Sequence, residues 1–120
     1  EGLPLECNKE IFLKAKSGLQ KTQIKYILGD VITEASKSSV PIDFLSLSDI
    51  PSYLMAPREQ DFLQEIKKNI STGGIIVNRY YLRYPENLNT DGYQNITDNF
   101  KDAISKEKIQ MYSFGIHQKI

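Results

Sequence analysis

The 120 residues, with 15 basic and 15 acidic side chains, fit one small domain with a single core and leave no room for a second. Hydrophobic residues at 40% and charged residues at 25% are a globular balance, which excludes disorder along the whole chain. A net charge of zero removes the general attraction to phosphate behind nucleic-acid binding, and one cysteine with one histidine cannot build a disulfide or a Cys/His zinc site.

No apolar run can span a bilayer, and no basic, apolar, small-residue leader pattern opens the sequence. The expectation is one cytoplasmic α/β domain over residues 1–120, with no metal, nucleic-acid partner or transmembrane segment.

In chain order, Asn8 caps a short helix to Ser17, whose stripe is Ile11, Phe12, Ala15 and Leu19, with Gly18 near its end. Gln23–Leu28 reads as a strand halted by Gly29-Asp30. Val31 to Lys37 reads as a short helix or turn, and Val40–Leu47 as a second strand with Pro41 at its start or edge. The clearest helix follows Pro57. Glu59 and Asp61 suit its positive end, Lys67 and Lys68 its negative end, and Phe62, Leu63, Ile66 and Ile70 its buried stripe. Thr72-Gly73-Gly74 reads as a turn into a buried strand, Gly74–Asn78. Pro85 to Gln94 reads as an exposed loop, Asn95 as the cap of a helix burying Ile96, Phe100, Ala103 and Ile104, and Lys108–Ile120 as a strand or hairpin. Alternating helices and strands predict a mostly parallel sheet with flanking helices, whose ligand sits beyond the carboxyl ends of the strands.

Those ends select the candidate residues. Asp30 suits either hydrogen bonds to a nucleobase amine and ribose hydroxyls or a helix cap. Asp49, with the hydroxyls of Ser46 and Ser48 before it, is either a ligand contact or a loop cap. Arg79 and Arg83, two of three arginines in the chain, alternate with Tyr80, Tyr81 and Tyr84. A guanidinium there grips a carboxylate or phosphate with paired hydrogen bonds, or the tyrosines simply pack the loop onto the sheet. His117 is the one conventional general base, and a structural role suits it better. No Gly-x-Ser-x-Gly elbow and no P-loop occurs.

Several runs carry a resemblance: Ile24–Val31 with its Gly-Asp, Ile42–Leu54 with Ser46-Leu47-Ser48-Asp49-Ile50-Pro51-Ser52-Tyr53-Leu54, Phe62–Ile70, and Thr72-Gly73-Gly74-Ile75-Ile76-Val77. Together they resemble the carboxy-terminal half of Rossmann-like S-adenosylmethionine-dependent transferases. Gly2-Leu3-Pro4, the arginine after the fifth strand and Tyr112-Ser113-Phe114-Gly115-Ile116-His117 are similar to the S-adenosylmethionine:diacylglycerol 3-amino-3-carboxypropyl transferases of betaine-lipid synthesis. The resemblance implies transfer of a 3-amino-3-carboxypropyl or methyl group to a lipid or small-molecule acceptor, at the inner membrane surface for a lipid. It implies that Asp30 and Ser46 contact the cofactor and that Ser48, Asp49, Tyr53 and Arg79 surround the reacting centre.

The family's glycine-rich loop is missing, since no Gly-x-Gly occurs, as is the acidic residue that holds the ribose. The expectation is therefore an incomplete portion of the Rossmann-like fold. Alone, it would bind S-adenosylmethionine weakly or not at all and self-associate through exposed strand edges. The alternative is a non-catalytic interaction module, either partner-binding or flavodoxin-like with Lys16-Ser17-Gly18 as a phosphate loop.

Overall fold

In the computed structural model, which describes residues 7–81 and 83–120, Asn8 opens the first helix. Gly2-Leu3-Pro4, part of the resemblance, lie outside the described residues. In order the elements are α1 (Lys9–Leu19), α2 (Val31–Ser36), β1 (Ile42–Ser48), α3 (Arg58–Ile66), β2 (Ile70–Tyr80), β3 (Tyr93–Asn95), α4 (Lys101–Ile104) and β4 (Ser113–Lys119). Single 3₁₀ turns lie at Ile50–Tyr53, Lys67–Asn69 and Thr97–Phe100.

The four strands form one sheet in the order β1-β2-β4-β3. Only β1 and β2 pair in parallel; β2 with β4 and β3 with β4 are antiparallel. The expected mostly parallel, Rossmann-like sheet is therefore wrong. Two causes are visible. Gln23–Leu28 forms no strand and all its residues are exposed, so β1 is left at an edge. β4 buries three consecutive residues, Gly115, Ile116 and His117, on both of its faces. β4 fills the position between β2 and the short β3, running against both, and these residues are covered there.

The parallel pair is irregular twice. Ile42 pairs with Ile70 but Phe44 with Ile75, so β2 bulges over 71–74. The turn expected at Thr72-Gly73-Gly74 is this bulge, held within one long strand. Gly73 has φ +80°, and a Cβ on Gly74 would lie 2.8 Å from Ser71 O and 2.9 Å from Ile42 O, so only glycine fits. At the other end Ser46 pairs with Val77 and Ser48 with Asn78, which puts the extra residue in β1 just before its last position.

One face of the sheet carries the core. Phe62, Leu63 and Ile66 of α3 pack with Ile32 and Ala35 of α2, Leu47, Ile70, Ile76 and Tyr93. The stripe expected on α3 is there, although Ile70 belongs to the start of β2. The helix expected after Asn95 is shorter: Asn95 Oδ1 accepts from Thr97 N at 3.0 Å, Ile96 is buried, but Phe100 and Ala103 are exposed. The last strand starts later than the expected Lys108, at Ser113, and Ile109 and Met111 before it are exposed. α1 forms as expected, with Asn8 Oδ1 accepting from Glu10 N and Ile11 N, yet none of its residues is buried.

Candidate functional site

The parallel pairing of β1 and β2 brings their carboxyl ends together, and Ser48 and Arg79 meet there. Ser48, displaced by the bulge, takes a left-handed backbone with φ +49°. Non-glycine residues rarely hold that conformation, and it occurs preferentially where function or tight packing enforces it. The Ser48 Oγ accepts from Arg79 Nη2 at 2.9 Å. The Arg79 guanidinium also lies over the ring of Tyr112, 5.1 Å from its centroid, and Tyr112 packs against Tyr81 at 5.9 Å. Arg79 is half-buried. A guanidinium steadied by a hydroxyl and an aromatic face keeps further N–H donors for an anion, and it loses little freedom on binding one.

Asp49 has a different task. Its Oδ1 accepts from Tyr81 N at 2.8 Å and from the buried Ser52 hydroxyl at 2.5 Å, and Ser52 Oγ also lies 3.0 Å from Arg83 O. The carboxylate ties the end of β1 to the segment after β2. Arg83, the other arginine of that segment, pairs with Glu59 at 2.5 Å and donates to the Leu54 carbonyl. Of the two clustered arginines, Arg79 is the one with no carboxylate partner among the described residues.

The remaining expected residues do not join this group. Asp30 caps α2 through Thr33 N at 2.8 Å and pairs with Arg58 at 2.8 Å. Arg58 also pairs with Glu65 at 2.9 Å. The Thr33 amide, then Arg58, hold the Asp30 carboxyl down at about 2, so this acid is a cap and an ion-pair partner. Ser46 is exposed beside Val77, and Tyr53 is 68% exposed in the 3₁₀ turn. Asp30 and Ser46 therefore do not fit an S-adenosylmethionine site: one is engaged as a cap and ion-pair partner, the other faces solvent, and among the described residues no glycine-rich turn follows a strand. Lys16-Ser17-Gly18 lies inside α1, where no phosphate loop can form.

Sequence reasoning did not single out Tyr112 or Ser52 as site residues. Both act across 31 or more positions of chain, Ser52 on Arg83 and Tyr112 on Arg79, so no local pattern announces them. Among the described residues no group of three or more His, Cys, Asp or Glu side chains could hold a metal, and no helix is long and apolar enough to cross a membrane. No protein-family model and no curated protein matches the sequence.

Proposed function

We propose that Arg79 and Ser48 form the anion-holding corner of an S-adenosylmethionine-dependent transferase, which moves a 3-amino-3-carboxypropyl or methyl group to a lipid or small-molecule acceptor. The observation that supports this reading is the Arg79 guanidinium, held between Ser48 and Tyr112 at the carboxyl ends of two parallel strands. In open sheets this is where ligands gather, and a fixed guanidinium there selects a carboxylate or phosphate. The cofactor would have to be held by groups other than Asp30 and Ser46, so no chemical step is assigned to residues of this chain. A lipid acceptor would place the site at the cytoplasmic face of a membrane.

Two measurements test the proposal. Titration with 2-aminobutanoate and with inorganic phosphate, followed by NMR at Arg79 Nε and the Tyr112 ring, should shift both signals. Arg79→Lys should weaken binding by about tenfold, because a point charge cannot copy the two-pronged grip. Unchanged signals would remove the anion site. With S-adenosylmethionine and candidate acceptors, release of 5′-methylthioadenosine reports aminocarboxypropyl transfer, and release of S-adenosylhomocysteine reports methyl transfer. A protein that binds the anions but yields neither product is not this transferase.

A second reading, a non-catalytic module that binds a partner or its own copy, rests on unpaired apolar surface. Phe44 on the edge strand β1 is 62% exposed, and Phe12 and Leu19 of α1 are 49% and 56% exposed. Sedimentation of the protein across concentration separates the two: a monomer at all concentrations rules out self-association.

A further inference from the structure

Behind Arg79, on the opposite face of β2, three polar side chains meet in the buried interior. Asn78 is 0% exposed, His117 1% and Tyr80 3%. Asn78 Oδ1, His117 Nδ1 and the Tyr80 hydroxyl have no hydrogen-bond partner among the described residues. The pairing of β2 with β4 gathers them: Asn78 lies opposite Gly115, and His117 and Tyr80 flank that pair on the same face. Asn78 Nδ2 donates to Gly115 O at 3.4 Å. From the Cβ position that Gly115 leaves free, the Tyr80 hydroxyl and His117 Cε1 are each 3.3 Å away and Tyr80 Cε2 is 3.0 Å away. The edges of both rings therefore close over Gly115, which brings the Tyr80 hydroxyl and the His117 imidazole towards the same point.

We propose that a single internal water molecule binds in this cluster, donating to Asn78 Oδ1 and His117 Nδ1 and accepting from the Tyr80 hydroxyl. The match is one of valence. An amide oxygen only accepts, a neutral imidazole with its proton on Nε2 accepts at Nδ1, and a phenol donates. A water with two donors and one acceptor completes all three, the usual number of bonds for a buried water. Left unpaired, each group would carry its full desolvation cost. Burial favours the neutral imidazole, as this arrangement requires. Glycine at 115 suits this cluster because a Cβ there would press on the Tyr80 and His117 rings. The site also braces the end of β2 next to Arg79, because Asn78 is the register partner of Ser48.

Water-selective NOE spectroscopy on the labelled protein, with long-range ¹⁵N spectra of the imidazole, tests this. Expected are a cross-peak from a long-lived water to His117 Hε1 and an imidazole protonated at Nε2 alone. Asn78→Leu should abolish the cross-peak. Tyr80→Phe, which keeps the ring and folds even if the leucine variant does not, should speed exchange of the water about fivefold through loss of one hydrogen bond. Absence of the cross-peak in the unaltered protein, a proton on Nδ1, or a cross-peak unchanged by Tyr80→Phe would each overturn the proposal.

Discussion

α3 and α1 start from similar local instructions and end differently. Both carry an apolar stripe, and α1 has the better cap, with two amides bonded to Asn8 where α3 has no side-chain cap at all. Yet α3 buries Phe62, Leu63 and Ile66 completely, while α1 buries nothing. The difference is a surface to dock on. α3 follows β1 and leads directly into β2, so the parallel pairing of those strands lays its stripe on the sheet. α1 is followed by Gln23–Leu28, which joins no strand, and nothing then brings Ile11, Phe12 and Leu19 to a core. Caps and periodicity make a helix; only a partner surface makes it contribute to global stability.

The largest expected contrast is between two phenylalanines. Phe62→Ala should cost about 3–5 kcal/mol in denaturant unfolding, since it empties a fully buried site. Phe12→Ala on half-exposed α1 should stay within about 0.5 kcal/mol. Equal losses would mean that α1 is packed in solution.

The glycines give the next contrast. Gly74→Ala drives a Cβ to within 2.9 Å of two backbone oxygens and should cost about 1–3 kcal/mol. At Gly18 nothing lies within 4 Å of the added carbon, so Gly18→Ala should raise helix content by circular dichroism, gaining about 1 kcal/mol of local stability without moving the global midpoint.

Acid gives the smallest effects, again unequal between regions. The Asp30 carboxyl is held at about 2 against an ordinary 3.8. The unfolded chain therefore binds a proton first, and the stability from this group is complete above pH 3.8 and lost as pH falls towards 2. Because Asp30 is exposed, the loss should be about 1 kcal/mol, and Asp30→Asn should remove this acid dependence. His117 is lowered by burial, so its unfolded form takes up a proton first as pH falls through the normal imidazole range. His117→Gln should flatten the stability profile as pH falls below about 6.5. Asn8→Ala, by contrast, should leave the acid midpoint alone and only fray α1, by about 1 kcal/mol.

Asp49 separates fold from site. With two hydrogen bonds on one oxygen it works as a tie between β1 and the segment after β2, so Asp49→Asn should lower the melting temperature and leave anion binding at Arg79 nearly intact. Loss of binding without loss of stability would return Asp49 to the ligand.

Much was fixed by short-range chemistry. Asn8 and Asp30 cap helices because each has an amide donor two or three residues on. The stripe of α3 follows its spacing, and Ile75-Ile76-Val77 is a strand by its branched, continuous apolarity. Arg79 could be placed at the end of that strand by counting alone. What neighbours these elements would find depended on pairing over long stretches of chain. Whether Gln23–Leu28 became a strand rested on a partner for its backbone. β4 runs against β2 and β3 inside the sheet, where its three consecutive buried residues are covered. Tyr112 lies under Arg79, and Asn78, Tyr80 and His117 meet over Gly115, only because β4 lies between β2 and β3. Backbone hydrogen bonds are the same for every sequence, so strand order and direction are decided by which faces can be buried together, and that is a property of the assembled sheet.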